Sequence, residues 1–263
     1  MQPGVSFTIM DKMEKAVKNR LDILLVEKGL CESRQRAQAL IMAGQVFVNS
    51  GMVDKPGTKV LENAHIQINT PDFPYVSRGA LKLENALKYL EIDIHNDVCL
   101  DVGASTGGFT DCLLQFGAAK VYAVDVGYGQ LAWKLRQDPR VVSMERTNIR
   151  YLSKDLIIDR IDLATIDTSF ISLKIVVPAV LGFLSDHARI LALIKPQFEV
   201  GKGRVGKGGV VRDPMLHDEV IEDLSVFFKG LNLEIEAIIP SPILGPKGNK
   251  EFIISLICGD NLV

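Results

Sequence analysis

Cysteine is scarce in this 263-residue chain: there are four, Cys31, Cys99, Cys112 and Cys258, and none forms a CxxC pair. Disulfide scaffolds and thiolate zinc sites need denser, regular spacing, so these cysteines read as reduced core residues, three of them inside apolar runs. The four histidines, His65, His95, His187 and His217, share no ligand-like spacing with one another or with the cysteines, and no metal site is read. No apolar run approaches the length of about 18 residues that a membrane-spanning helix needs. The opening stretch lacks an apolar segment behind a basic one, so the expected location is the cytoplasm. Aromatic residues make up only 6%, and neither the single Trp133 nor the five tyrosines interleave regularly with basic residues. Trp133 is expected to pack on the helix after Asp125. What is present, 47% hydrophobic and 24% charged residues with a net charge of −2, is the profile of a globular protein and excludes disorder and collagen-like repeats.

Charge and punctuation divide the chain. Residues 1–82 hold 11 Lys/Arg against 8 Asp/Glu, and residues 83–263 hold 19 against 24, so a mildly basic front precedes an acidic back and a polyanion is a candidate partner of the front. Two prolines in Asn69-Thr70-Pro71-Asp72-Phe73-Pro74 restrict themselves and their predecessors to extended backbone, which predicts a linker. The expected organisation is an N-terminal extension over 1–19, a small domain over 20–70, a linker over 71–78 and a larger domain over 79–263. In the small domain, Leu21, Leu24, Leu25 and Lys28 keep helical spacing before Gly29, and Ser33 caps a second helix carrying Ala37, Leu40 and Ile41 before Gly44. Val46, Val48 and Val53 then alternate around the turn Asn49-Ser50-Gly51, and His65 to Ile68 closes the module, a small α+β unit. From Gly79 onward, strands at 98–102, 121–125, 141–144, 163–167, 190–195, 233–239 and 252–258 alternate with helices such as 80–90 and 173–184. That alternation predicts a doubly wound, Rossmann-like sheet of seven mostly parallel strands that binds ligands at their carboxyl ends.

The turn Asp101-Val102-Gly103-Ala104-Ser105-Thr106-Gly107-Gly108-Phe109 follows the first of these strands and opens a helix, so its glycines let the backbone approach a ligand closely. Its spacing differs from the dinucleotide GxGxxG, and Asp125 ends the next strand, placed to accept hydrogen bonds from ribose hydroxyls; an adenosine without phosphates fits best. Four further polar residues stand out: Lys82 on the helix before the first strand, Asp167 and Lys195 ending the fourth and fifth, and Glu251 opening the last. Glu251 reaches the same crevice only if the last strand is antiparallel. Gly201, Gly206 and Lys207 approach the phosphate-binding pattern GxxxxGK[ST], but Gly208 replaces the magnesium-binding hydroxyl and no helix follows directly, so nucleotide hydrolysis is rejected. Lys202, Arg204, Lys207 and Arg212 read instead as a mobile basic loop near the crevice.

These motifs resemble the TlyA family, often labelled haemolysin A, whose members resemble FtsJ-type ribosomal RNA 2′-O-methyltransferases carrying a small RNA-binding module in front. The front blocks Arg20-Leu21-Asp22, Gly29-Leu30, Ser33-Arg34, Val48-Asn49, Gly51 and Lys55-Pro56 are similar to the αL RNA-binding motif of a ribosomal protein, pseudouridine synthases and tyrosyl-tRNA synthetases. Behind them, Tyr75–Leu83, the glycine-rich turn, Val124–Leu131, Glu145–Asn148, Asp167–Leu173 and Lys195–Glu199 resemble the family's blocks in order. The resemblance implies S-adenosylmethionine as cofactor, Lys82, Asp167, Lys195 and Glu251 as a catalytic tetrad, and a cofactor site formed by Asp101, Gly103, Ala104, Ser105, Thr106, Gly107, Gly108, Phe109, Asp125, Val126, Asn148 and Asp167. It further implies RNA contacts from Arg20, Ser33, Arg34, Arg36, Asn49, Lys55, Arg78, Lys202, Arg204 and Lys207.

The reaction so implied is in-line displacement at a sulfonium methyl by a ribose 2′-hydroxyl, with a cytidine of the large, or also the small, ribosomal subunit as target. Lys195 is the candidate base, with its charged form acting only on the oxyanion as the other division of labour, and Glu251 is expected to hold Lys82 or the target ribose. Base methylation is the runner-up chemistry; Asp167-Thr168-Ser169-Phe170 lacks its aromatic-flanked Asn-Pro pair. A ribosome-assembly factor without turnover and a pore-forming cytolysin are the competing classes, and the second requires an amphipathic helix or barrel strands that the sequence does not display.

Overall fold

In the computed structural model, described over residues 18–31, 33–42, 44–68, 74–201 and 203–259, the chain divides into two compact units, Met1–Phe73 and Pro74–Val263. The proline-rich stretch 69–73, most of the N-terminal extension and Lys202 lie outside the described residues.

The front unit runs β1 (Lys18–Arg20), α1 (Leu21–Glu27), α2 (Arg34–Met42), β2 (Val46–Val48), β3 (Gly51–Val53), β4 (Lys59–Leu61) and β5 (Ile66–Ile68). Leu21, Leu24 and Leu25 of α1 meet Ala37, Leu40 and Ile41 of α2 in a buried core shared with Val46 and Val60. Each helix ends at a glycine in the left-handed region, Gly29 at φ 69° and Gly44 at φ 68°. β2 pairs antiparallel with both β3 and β5, and Asn49 and Ser50, at φ 48° and 67°, supply the two left-handed residues of a tight hairpin turn. Sequence periodicity missed β1 and β4, which pair antiparallel over three residues each; strands this short, and in β1 almost wholly polar, show no alternation.

The back unit contains α3 (Ala80–Tyr89), β6 (Val98–Val102), α4 (Gly108–Gln115), β7 (Lys120–Val124), α5 (Trp133–Arg136), β8 (Val141–Met144), β9 (Ile161–Ile166), α6 (Leu173–Leu181), β10 (Leu184–Ile194), α7 (Pro196–Glu199), α8 (Pro214–Gly230), β11 (Leu233–Pro240) and β12 (Phe252–Cys258). The seven strands from β6 to β12 form one sheet in the order β11-β12-β10-β9-β6-β7-β8. All neighbouring pairs are parallel except those of β12, which runs antiparallel to both β10 and β11. Strand order reverses between β6 and β9, so the ligand crevice of such a sheet opens beyond their carboxyl ends. Inward residues such as Leu100, Ile166, Ile190, Ile254 and Phe228 are almost wholly buried, each worth about 1.5–3 kcal/mol of transfer free energy. All four cysteines are buried.

Two expectations are corrected here. The helix read as 173–184 stops at Leu181, and Leu184 opens an eleven-residue strand; the apolar run continues across Gly182, and periodicity alone does not separate a buried helix from a buried strand. Trp133 is 65% exposed. α5 is a single turn whose buried residue is Leu135, which leaves Trp133 off its inward side.

Ser50 pays the steric cost of a left-handed conformation that glycine avoids. Ser50→Gly is expected to stabilise the front unit by about 0.5–1 kcal/mol, read as slowed amide exchange across β2 and β3 in the full chain; unchanged or faster exchange contradicts the turn assignment.

Candidate active site

The crevice is built from loops that leave the carboxyl edge of the sheet. After β6 the chain turns through Gly103 at φ 88°, Ser105 at 49° and Gly107 at 94° before α4 begins. A β-carbon on Gly103 would lie 2.6 Å from the Asp167 carbonyl oxygen, and one on Gly107 would lie 2.2 Å from a Leu135 methyl. Gly108 serves packing, because a β-carbon there would meet Ser77 Oγ at 2.2 Å. The turn is tied down at Gly103, whose N–H donates to Val124 O at 2.8 Å. Asp125, directly after β7, accepts from Ser105 N at 2.8 Å through Oδ2 and from Gly127 N at 2.6 Å through Oδ1. Each of its oxygens keeps a further lone pair for a donor such as a ribose hydroxyl.

Asp101 and Phe109 belong to the support of this turn rather than its surface. Asp101 is fully buried and accepts from Thr110 Oγ1 at 2.7 Å and Thr165 Oγ1 at 3.1 Å, and Phe109 is buried with it. Val126 is 71% exposed beside Asp125. Asn148 caps a short helical turn, its Oδ1 accepting from Arg150 N at 3.1 Å. Glu145 joins the loops after β7 and β8 by receiving Arg136 at 2.5 Å and Gln130 N at 3.2 Å, and the Arg136 guanidinium holds its carboxyl down at about 2.

The four candidate catalytic residues form two ion pairs. Lys82 Nζ donates to Glu251 Oε2 at 2.6 Å, and Lys195 Nζ lies 2.5 Å from Asp167 Oδ1 and donates to Ser169 Oγ at 3.1 Å. The antiparallel β12 required for Glu251 is present, and its register pairs Phe252 with Ile194, so Glu251 and Lys195 stand next to that pair at one edge of the sheet. Asp167 reaches the same edge, its N–H donating to Val102 O at 2.9 Å. Lys82, Lys195 and Glu251 are buried; Glu251 Oε1 has no hydrogen-bond partner, and Gly245 leaves room for it, since a β-carbon there would lie 1.9 Å away. Glu251 therefore holds Lys82.

Sequence reading missed two fastenings of this edge. Glu199 accepts from Ser172 Oγ at 2.6 Å and Leu173 N at 2.9 Å, joining the loop after Asp167 to the turn after Lys195, and burial raises its carboxyl above the ordinary value. Asn249, also buried, accepts from Val211 N at 3.0 Å and donates to Gly209 O at 3.0 Å and Pro246 O at 3.1 Å. The loop expected to be mobile is thus fastened at its end, with a β-bridge between Gly206 and Val210. Arg204 is not freely solvated: its guanidinium forks the Glu219 carboxylate at 2.5 and 2.6 Å. Lys207 and Arg78 are exposed.

In the front unit, Arg20 and Arg34 both bond to the buried carboxylate of Asp22, and Arg36 and Lys55 are exposed. Ser33 caps α2, its Oγ accepting from Arg36 N at 3.2 Å, and Asn49 Oδ1 accepts from His65 N at 3.1 Å. Among the described residues no helix is long and apolar enough to cross a membrane, and no cluster of His, Cys, Asp or Glu could hold a metal ion. A cavity of about 200 Å³ lined by Asp97, Asp162, Asp186 and Arg189 lies at the opposite ends of the strands, away from the crevice.

Burial raises the Asp101 carboxyl to about 6, against the opposing hydrogen bonds of Thr110 and Thr165. Its folded-state value exceeds the unfolded one of about 4, so ionising it opposes folding: the cost is absent below about pH 4, grows from about pH 4 to 6 and is complete above, reaching roughly 3 kcal/mol. Asp101→Asn is expected to remove this decline from the pH profile of chemical unfolding. A variant that loses stability as the parent does across the same window contradicts the assignment.

Comparison with known proteins adds to this geometry. The FtsJ-like methyltransferase family matches residues 75–257, and the S4 domain matches residues 19–66. The 16S/23S rRNA (cytidine-2′-O)-methyltransferase TlyA of Mycobacterium tuberculosis is 48% identical over 92% of this chain and 90% of that protein. Hemolysin A of Brachyspira hyodysenteriae is 42% identical over 90% and 99%. Among solved structures, one titled "Putative hemolysin from Streptococcus thermophilus" superposes with a TM-score of 0.74 at 42% identity, covering 94% of this chain and 90% of that one. With the FtsJ-like methyltransferase family over residues 75–257, the S4 domain over residues 19–66 and relatives 42–48% identical over nine-tenths of its length, the chain belongs to the TlyA family of FtsJ-like methyltransferases.

Proposed function

We propose that this chain transfers the methyl group of S-adenosylmethionine to a ribose 2′-hydroxyl of ribosomal RNA, with cytidine of the large subunit as first target and the small subunit as second. The observation that carries the reading is the pairing of Lys195 with Asp167 beside the glycine-rich turn. The names of the M. tuberculosis relatives support the nucleoside and the position on the ribose.

Glycine at 103 and 107 lets the turn pack against Asp167 and Leu135, where a side chain would collide, and the acceptors that Asp125 offers to ribose hydroxyls beside it support an adenosine-type group. Val126 would lie against the adenine and Asn148 near its edge. When bound, S-adenosylmethionine supplies an electrophilic methyl on a sulfonium. A 2′-hydroxyl is a poor nucleophile; Lys195 Nζ takes its proton as the oxygen attacks, a step that requires the neutral amine, and Asp167, 2.5 Å away, is the ion-pair partner of the ammonium so formed. Ser169 Oγ fixes the direction of Nζ. Lys82, neutralised by Glu251 in a buried pair, sets the shape and charge of the adjoining wall. The S4 domain supplies RNA affinity through Arg20, Arg34, Arg36 and Lys55, which contact phosphates without reading sequence.

The test is transfer of tritiated methyl to 30S and 50S subunits lacking the modification, followed by digestion to nucleosides. Label is expected in 2′-O-methylcytidine; label on a base, or none despite measured cofactor binding, sinks the proposal. Lys195→Ala and Lys195→Arg are each expected to lower turnover by about 10²–10⁴-fold with cofactor affinity unchanged. Retention of turnover by Lys195→Arg, which keeps the charge and cannot take the proton, overturns the base role in favour of oxyanion stabilisation.

A further inference from the structure

Among the described residues of the front unit, Asp22 is the buried carboxylate, and it lies on α1 beneath two arginines that reach solvent. Arg20 meets it with a two-pronged contact, Nε to Oδ1 at 2.9 Å and one terminal nitrogen to Oδ2 at 3.0 Å. Arg34 Nε donates to Oδ2 at 2.9 Å, and Gln38 Nε2 donates to the same oxygen at 2.9 Å. The Arg20 guanidinium, with the other bonds behind it, holds the carboxyl well below the ordinary aspartate range. Each arginine is therefore fixed at its inner edge, and the Arg20 and Arg34 side chains remain 43% and 54% exposed. Among the described residues, Nη1 of Arg20 and both terminal nitrogens of Arg34 make no hydrogen bond and can meet an outside acceptor. Gly57 faces the outer edge of Arg20, where a β-carbon would stand 3.3 Å from Nη1. A guanidinium can bind a carboxylate on one edge and a phosphate on another; an ammonium cannot present two fixed edges.

We infer that Asp22 is a positioning residue for RNA: an internal carboxylate that aims two guanidinium edges outward as a preformed clamp for backbone phosphates. The inference rests on the reading of the front unit as the RNA contact. Holding the two side chains before binding lowers the ordering cost that flexible arginines bear on meeting a phosphate.

The sign of one substitution separates aim from charge. Asp22→Asn makes the chain more positive, so charge alone strengthens polyanion binding; loss of aim weakens it. Binding of the full chain to purified 50S subunits, measured by filter retention over a range of KCl, is expected to weaken about tenfold in Asp22→Asn, with the salt slope reduced by about one. In an Arg20→Ala, Arg34→Ala background, Asp22→Asn is expected to cause no further weakening. Should Asp22→Asn fail to fold, as read by amide exchange across α1 and α2, Arg20→Lys with Arg34→Lys decides, since it conserves charge on exposed side chains: a loss of about tenfold supports the clamp, and parental affinity overturns it. Tighter or unchanged binding by folded Asp22→Asn also overturns it. If the two alanine substitutions leave affinity intact, Arg20 and Arg34 are not RNA contacts and the clamp falls; if adding Arg36→Ala and Lys55→Ala also leaves it intact, the reading of the front unit as the RNA contact falls too. If the first two substitutions weaken binding while Asp22→Asn does not, the clamp alone is wrong.

Discussion

The antiparallel pairing of β12 with β10 is the constraint on which the crevice depends. Asp167 and Lys195 reach the carboxyl edge of the sheet because they follow parallel strands. Glu251 precedes its strand, and only a reversed direction brings it there. With β12 parallel, Glu251 would stand at the far end of the sheet, and the buried ammonium of Lys82 would have no counter-ion. An unpaired buried charge costs about 3–5 kcal/mol, so strand direction and the charge balance of the site are one requirement.

Around that edge, the loops are fastened by side chains that bond to backbone. Asp125 gathers the N–H groups of Ser105 and Gly127, Glu199 bridges Ser172 and Leu173, and Asn249 holds Val211 and Gly209. Each takes up polar groups that a turn would otherwise leave unmatched away from water. The consequence is a crevice whose walls are set by local bonding, so that Lys195 and Asp167 can be held at contact distance without a helix carrying either of them.

Much of this was legible from periodicity and punctuation. Apolar runs of four to seven residues ending in Asp125, Asp167 and Lys195 marked the strands and the edge together, since a charged residue at the close of a buried run has to leave the sheet. The glycine spacing after Asp101 marked the close approach of backbone. What stayed hidden has a common physical origin in contacts between distant residues. Asn249 reads as an ordinary loop residue until Val211 and Gly209 meet it, and Asp22 reads as the polar side of a helix until Arg34 folds over it. The Arg204–Glu219 fork, the exposure of Trp133 and the short β1–β4 pair are likewise set by neighbours in space. The boundary at Leu184 failed for a different reason, because a wholly apolar run carries no period.

The pair Lys82–Glu251 joins residues 169 positions apart, the first helix of the back unit to the opening of its last strand. During synthesis, Lys82 emerges long before its counter-ion, and the wall it forms is incomplete until β12 has left the ribosome and inserted between β10 and β11. A shortened or still-tethered chain thus carries an uncompensated ammonium where the finished protein has a neutral pair.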